Sequence, residues 1–448
     1  MNQSRQTFIT AFALFSLFFG AGNLILPPFL GYNAGENWFW VTIGFAISAV
    51  VIPILAIYGH ARLQGTMLDF ANKVSPKFAM FYSVCVYIIS IALPSPRTAS
   101  VTYEMAIEPY FEMNSLWLSS IYFALVLVFV LNRTRILSII GKFLTPLIIL
   151  ILLSIISIGL FGDTIAIRDT ADSTSLIGGI IEGYQTFDAI GGVLIGGVIV
   201  ISFALQGTFD YEARKRMMGK AGLYAGIGLF TIYGGLIALG AYYSGEITTD
   251  SRSEYLSFLS QKTLGNIGTA FLAVLVSLAC FTTAVGIVTG TADFVKGLFK
   301  NSKRAYLFTA ILGCVIGVVV GQFDIHYIID LAVPALMFIY PITICLILLN
   351  ILPKKWASQL VFRGVAIVVF VFSLTDVLKE IISENRIIPY QKIMPDGLID
   401  SSESFIGLFE TYIPLAKEGM GWVLPAFIIF VLLNVKTLLQ SRSKSLQV

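Results

Sequence analysis

Apolar runs long enough to cross a bilayer constrain this chain more than any motif in it. They fall at 7–31, 38–59, 77–96, 115–132, 143–161, 177–205, 221–244, 266–292, 305–322, 328–352, 361–378 and 419–439. A hydrocarbon core of about 30 Å takes about 20 apolar residues of helix. In lipid the backbone must satisfy its own hydrogen bonds, which leaves only helices or closed barrels. The runs are far longer than barrel strands. The expectation is therefore an all-α integral membrane protein with 12 transmembrane helices.

Composition agrees. Hydrophobic residues make up 57% of the 448 and charged residues 12%, with a mean hydropathy of +0.85. A soluble domain carries about 25% charged residues, so most of this surface faces something other than water. The net charge of +3 comes without a basic arm, and nucleic acid is not an expected partner. Cys85, Cys280, Cys314 and Cys345 all lie in apolar runs without a CxxC pair, which predicts buried free thiols. The N-terminus begins like a signal peptide, but its apolar run continues through Gly20-Ala21-Gly22-Asn23 with no cleavage site. It reads as a retained first helix. Only two histidines occur, both near helix ends, and no cluster has metal-ligand spacing, so no enzyme and no cofactor are expected. A channel would show repeated filter loops or pore rings, which are not found. A substrate-sensing receptor is the other rival to a carrier.

Charge sets the topology. With the N-terminus in the cytoplasm and the spans alternating, 21 of the 29 basic residues fall inside and 8 outside. Both termini are then expected in the cytoplasm. The stretch 379–418 lies outside, as a lid or an interfacial helix. Arg97, with Glu104, Glu108 and Glu112, reads as an outer charged rim, and His60 with Arg62 as anchors at the inner interface.

Spans one and six are interrupted in the same way. Span one carries Gly20-Ala21-Gly22-Asn23 and then Pro27-Pro28; span six carries Thr186-Phe187-Asp188-Ala189 and then Gly191-Gly192. Glycine costs a helix about 1 kcal/mol against alanine, and proline removes a backbone donor. Unwound backbone at membrane depth persists only where protein or a water-filled cavity satisfies it. There, freed carbonyls hold a cation and exposed half-helix amides hold a carboxylate. Spans one and six also open two five-helix sets. An odd number of helices inverts the second copy, and paired interruptions point to a substrate site at a repeat interface. Glycines in span seven (Gly226, Gly228, Gly234, Gly235) read instead as close-packing positions. Asp188 is the one acid placed deep in a span, by default a functional position; the competing reading is a paired residue that orients the broken helix.

Four segments, LFFGAGNLILPP (17–28), ALPSPRTASVTYE (92–104), YQTFDAIGG (184–192) and CFTTAVG (280–286), resemble the bacterial branched-chain amino acid:cation symporters, the BrnQ-type carriers. The resemblance covers essentially the whole chain. One departure is that Pro94 and Pro96 flank Ser95, where the family motif has a single proline before the arginine.

Membership would imply the amino acid–polyamine–organocation superfamily and the leucine-transporter-like 5+5 inverted repeat: residues 1–165, then 175–353, followed by two extra C-terminal helices in 359–448. By the same resemblance, sodium would be held by the carbonyls of Ser16, Phe19 and Ala279 and the hydroxyls of Thr282 and Thr283, an oxygen set suited to a hard cation. The two threonines bonding back to their own helix is the alternative. The amides of Ala21 and Gly22 would take the substrate carboxylate, where the half-helix dipole favours negative charge. Phe187, Asp188 and Ala189 complete the substrate set, and Asn23 with Thr186 would form a second cation site. Proton-coupled relatives place a lysine mid-way along helix five. Here 143–161 has none and Lys142 sits at the edge, which favours sodium, while Asp188 keeps the proton alternative open. The expected function is import of leucine, isoleucine or valine with that cation across a bacterial cytoplasmic membrane. Substrate and lipid are the expected partners, with no obligate protein partner.

Overall fold

The structure is a computed structural model that describes residues 3–132, 136–162, 167–168, 176–206, 210–384 and 406–445. The 385–405 part of the expected outer lid and the Lys142 side chain lie outside the described residues. All regular structure described is helical. The first half of the chain forms α1 (Gln3–Phe18), α2 (Ala21–Ala34), α3 (Trp38–Ala46), α4 (Ile52–Leu63), α5 (Met67–Asn72), α6 (Pro76–Ala92), α7 (Pro94–Thr102), α8 (Ser115–Asn132) and α9 (Ile136–Phe161). After these come α10 (Leu176–Tyr184), α11 (Asp188–Gln206), α12 (Tyr211–Tyr242), α13 (Arg252–Leu298), α14 (Lys303–Gly321), α15 (Ile325–Ile351), α16 (Gln359–Glu384) and α17 (Val423–Ser445).

Among the described residues, eight helices are long and apolar enough to cross a membrane, and three shorter apolar helices accompany them. The count of twelve stays an expectation. The interruptions divide spans one and six into pieces, and Gly22–Leu63 runs as one helical stretch across the end of span one and all of span two. Large apolar side chains are turned outward along these helices, among them Trp117 at 70% exposure, Ile88, Leu150, Ile367 and Phe427. That surface suits lipid and would be costly in water.

Contacts group the chain into two compact units. The first holds Met1–Val51, Tyr87–Asp188 and Lys220–Ile329. Its organiser is α13, which packs on α2, α7, α8, α9 and α14. Ser251 caps α13 by accepting the Glu254 amide, and Gly265 interrupts it at φ +69°. The apolar part of α13 thus starts where span eight was expected, at 266. Beyond it Ala284, Val285, Val288 and Ala292 bury against Phe123, Val126 and Cys314. Two helix pairs in this unit approach through glycine. A Cβ on Gly44 of α3 would overlap the Leu176 carbonyl of α10, and one on Gly179 would overlap that of Val41. Between α2 and α12, Gly31 sits on the Ile237 carbonyl and Gly240 on that of Pro28. Gly31 is thus a packing residue; α2 runs to Ala34, and Gly35 caps it at φ +49°. Gly235 meets Ile156, in line with close packing in span seven.

The second unit holds Ile52–Val86, Ala189–Gly219 and Asp330–Val448. Here Tyr82 and Thr343 bond hydroxyl to hydroxyl at 2.8 Å, Asn350 Nδ2 donates to the Phe70 carbonyl at 2.9 Å, and α16 packs on α17. His60 is buried rather than interfacial. Its ring stacks on Phe70 with centroids 4.5 Å apart, and Nδ1 lies 3.0 Å from the Gly65 carbonyl. Gly196 leaves room for that ring.

Gly44→Ala places a methyl where the Leu176 carbonyl oxygen lies, whereas nothing stands within 4 Å of a Cβ on Gly286. Thermal unfolding in detergent is expected to show Gly44→Ala destabilised by about 1–3 kcal/mol, the usual cost of overpacking. Gly286→Ala is expected to be neutral or stabilising by up to about 1 kcal/mol.

Candidate functional site

Of the helix interruptions described in the first unit, three bring their side chains together. In the first, α1 ends at Phe18, α2 begins at Ala21, and Gly20 is extended (φ −114°, ψ −169°). In an unbroken helix the Gly20 amide would reach the Ser16 carbonyl. Here it donates to Asn23 Oδ1 at 3.1 Å, so the third residue of the new helix caps its own start. The helix then continues through Pro27 and Pro28, so the unwinding is confined to Phe19-Gly20.

The second interruption separates α10 from α11 at Gln185-Thr186-Phe187. Three tight backbone bonds close it, from Gln185 to Glu182, Thr186 to Gly183 and Phe187 to Tyr184. Phe187 takes φ +63°, an uncommon conformation for a bulky residue and a form of strain that clusters at functional sites. Thr186 Oγ1 donates to the Gly183 carbonyl at 2.8 Å and accepts the Asp188 amide at 3.2 Å. Asp188 therefore opens α11, where a carboxylate complements the helix dipole.

Asn23 joins the two interruptions. Its Nδ2 donates to Asp188 Oδ2 at 2.6 Å and to the Tyr233 hydroxyl, and Tyr233 donates to Asp188 Oδ2 at 3.2 Å. All three residues are buried. The Phe19 ring lies 6.2 Å from that of Tyr233, and Phe45 meets the same ring edge-on at 5.4 Å.

The third interruption was not expected, because this stretch reads as the exit of span three. Leu93 (φ −120°, ψ −68°) separates α6 from α7, and the prolines occupy the first turn of the new helix, where a missing donor costs nothing. Although α7 is polar, every residue from Ser95 to Thr102 is buried. Ser100 Oγ donates to the carbonyls of Phe323 at 2.8 Å and Gly321 at 3.2 Å. Arg97 is 3% exposed and does not belong to a charged rim. Its Nη2 donates to the Gln185 carbonyl at 2.9 Å, Cζ lies 5.5 Å from the centre of the Phe187 ring, and a Cβ on Gly22 would overlap Nη2. Glu104 and Glu108, expected to share its rim, line a cavity of about 930 Å³ with Arg252 and Asp324.

The expected cation ligands lie as follows. Ser16 is in the last turn of α1 and Phe19 in the interruption itself. Thr282 and Thr283 each donate a hydroxyl to the Ala279 carbonyl at 2.9 Å. A hydroxyl that donates keeps lone pairs for a cation. A Cβ on Gly20 would lie 3.7 Å from Thr283 Oγ1 and 3.6 Å from Asn23 Oδ1, so α13 presents Thr283 to the first interruption. Of the second set, Asn23 and Thr186 both bond to Asp188. Among the substrate residues, the amides of Ala21 and Gly22 open α2. Ala189 falls in the other unit, where its amide donates to the Tyr340 hydroxyl at 3.4 Å.

The sequence reading missed Tyr233, Gln185 and the position of Arg97. A tyrosine amid apolar residues is a polar handle that needs a partner, but nothing names the partner. For Arg97 a signal existed: two prolines and a run of small polar residues at membrane depth. A second buried acid, Asp376 of α16, was also missed, in the second unit.

The profile of the family described as "Branched-chain amino acid transport protein" matches residues 3–440. The branched-chain amino acid transport system 2 carrier protein of Pseudomonas aeruginosa is 31% identical over 431 residues, covering 94% of this chain and 93% of its own. Permease BraB of Bacillus subtilis is 30% identical over 99% of this chain and 98% of its own. Permease BrnQ of Escherichia coli K12 is 30% identical, with 96% and 95% covered. Among solved structures, the inward-facing conformation of Mhp1 aligns with a TM-score of 0.59 at 12% identity, covering 93% of this chain and 94% of that one. A manganese transporter of Eremococcus coleocola aligns with a TM-score of 0.58 at 13% identity, covering 95% and 94%. At such identity the likeness carries the fold alone, and the fold is the leucine-transporter one.

Removing the donors around Asp188 is expected to give a graded loss of stability. Tyr233→Phe takes away one hydroxyl and is expected to cost about 0.5–1.5 kcal/mol. Asn23→Ala strips both Asp188 and the Gly20 amide of a partner and is expected to cost about 3 kcal/mol. Thermal unfolding of the purified variants measures both, and equal midpoints would rule out the cluster as described.

Proposed function

The chain belongs to the branched-chain amino acid transport protein family, and from that membership we propose a secondary symporter that imports leucine, isoleucine and valine with a cation, sodium in preference to a proton. It is a multi-pass membrane transporter and not an enzyme. The observation that best supports the mechanism is the pair of interrupted helices joined through Asn23 and Asp188. Residues 1–165 and 175–353 are the two inverted repeats of this reading, with 359–448 added, and the bias of basic residues puts both termini in the cytoplasm.

In the proposed cycle the substrate carboxylate meets the amides of Ala21 and Gly22 at the positive end of α2. Its ammonium meets carbonyls of the two interruptions and Asp188, and Phe187 shapes the side-chain pocket. Sodium is a co-substrate bound by the carbonyls of Ser16, Phe19 and Ala279 and the hydroxyls of Thr282 and Thr283, with Asn23 and Thr186 as a second site. Sodium is preferred because the oxygen set suits a hard cation and because 143–161 holds no lysine. Binding favours the closed form, and rocking of helices then opens the cytoplasmic side.

A second reading couples transport to protons. It is favoured by one observation: Asp188 is a buried acid with two side-chain donors on one oxygen.

Uptake of labelled leucine into proteoliposomes, under sodium, lithium or choline gradients with and without a pH gradient, tests both. Accumulation driven by sodium and competed by isoleucine and valine is the expected result. Accumulation driven by protons alone would transfer the coupling to Asp188, and none under any gradient in folded protein would overturn the substrate class. Thr282→Ala combined with Thr283→Ala is expected to abolish most of the sodium dependence while the protein still inserts. Unchanged sodium dependence in that variant would remove the proposed cation site.

A further inference from the structure

Basic side chains from four segments gather at one end of the second unit, the end that the charge bias puts in the cytoplasm. Arg62, at the end of α4, donates from Nη1 to the Ile351 carbonyl at the end of α15. Lys354 and Lys355 follow that carbonyl in the turn to α16. Arg363, in the second turn of α16, donates from Nε to the Val74 carbonyl at 2.8 Å. Beside Val74, the half-buried Lys73 holds Nζ 4.9 Å from the centre of the Phe362 ring. Each arginine uses one nitrogen on a carbonyl and keeps further N–H donors. Among the described residues none of these side chains forms an ion pair. The acid nearest in the chain, Asp69, is engaged by the Thr66 amide and hydroxyl, both at 2.8 Å. Burial, and then the like charges of Arg62 and Lys354, hold the Lys73 ammonium below the usual lysine range.

The cluster also adjoins a face made for acyl chains. Leu360, Ile367, Val371, Leu374 and Leu378 are exposed at helical spacing along α16, and the exposed Arg363 stands in the same stripe. Trp356, exposed in the turn with the Lys355 ammonium 5.9 Å from its ring centre, marks headgroup depth.

We propose that this cluster binds an anionic phospholipid, its phosphate among Lys73, Lys354 and Arg363 and an acyl chain along Leu360, Ile367 and Val371. Basic pockets at the cytoplasmic ends of membrane helices take such headgroups, and arginine N–H pairs suit phosphate oxygens. A zwitterionic phospholipid offers the same phosphate, but its own ammonium meets the like charges of Lys73 and Lys354. The bound lipid joins the end of α4, the start of α6 and the α15–α16 turn, and so stabilises the second unit. Neither the substrate nor the coupling ion proposed above enters this inference.

The test titrates the purified full chain in neutral detergent with phosphatidylglycerol, with phosphatidylcholine of the same acyl chains, and with inorganic phosphate, and reads the thermal midpoint. Phosphatidylglycerol is expected to half-saturate the shift at a concentration about 10-fold below phosphatidylcholine, and inorganic phosphate to give no shift. Each basic residue near an anionic headgroup is worth about 5-fold, so Lys73→Gln combined with Arg363→Gln is expected to shrink the preference to within about 2-fold. Lys303→Gln combined with Arg304→Gln, at the start of α14 in the other unit, is expected to retain it. Equal loss in both double variants would reduce the effect to general attraction and overturn the site, as would an equal response of wild type to the two lipids. A shift with inorganic phosphate matching that with phosphatidylglycerol would overturn the lipid as occupant. Should the first double variant not fold, Lys354→Gln combined with Lys355→Gln, both exposed, decides. A preference reduced by about 3-fold or more supports the site, and an unchanged preference overturns it.

Discussion

A backbone amide that leaves its helix within a membrane must find another acceptor, and in this protein that requirement is met at Gly20 by Asn23. The bond from the Gly20 amide to Asn23 Oδ1 gives that amide an acceptor where α1 stops and α2 starts. It also fixes the other end of the same side chain. With Oδ1 turned to Gly20, Nδ2 points at Asp188 and Tyr233, which ties the first interruption to the second. A single asparagine thus serves as the cap of one half-helix and as a donor to the acid that opens another.

Around this joint two helix pairs come together through small residues. Gly31 and Gly240 let α2 and α12 touch backbone to backbone, and Gly44 with Gly179 does the same for α3 and α10. Helix association in lipid lacks the hydrophobic drive available in water, so close backbone approach supplies the van der Waals contact instead.

The third interruption shows how a polar segment survives at depth. In α7 Thr98 and Thr102 bond to carbonyls of their own helix turn and Ser100 to the Phe323 carbonyl beyond the α14 end, while the Ser95 hydroxyl has no hydrogen-bond partner among the described residues. Arg97 is held by the Gln185 carbonyl and the Phe187 ring. Phe187 in turn adopts its left-handed conformation within a turn closed by Tyr184. Strain at Phe187, charge at Arg97 and the missing side chain at Gly22 are three parts of one arrangement.

Much of this was legible in the chain by itself. Apolar runs dictate helices because lipid offers the backbone no other partner, and Gly20-Ala21-Gly22-Asn23 and Thr186-Phe187-Asp188 locate two interruptions because glycine and buried polar groups weaken a helix locally. Thr282 and Thr283 were singled out by the resemblance alone, and the structure brings Thr283 to the first interruption. Tertiary structure alone decided which polar groups meet. Arg97 read as a rim residue, because a charge beside Glu104 and Glu108 near the end of an apolar run has water as its default neighbour. Its burial depends on a break at Leu93 and on a carbonyl 88 residues away. Likewise Tyr233 is 45 residues from Asp188 and 210 from Asn23. Local composition sets where a helix weakens, but the partner of a buried polar group is chosen by packing between distant segments, which no local pattern encodes.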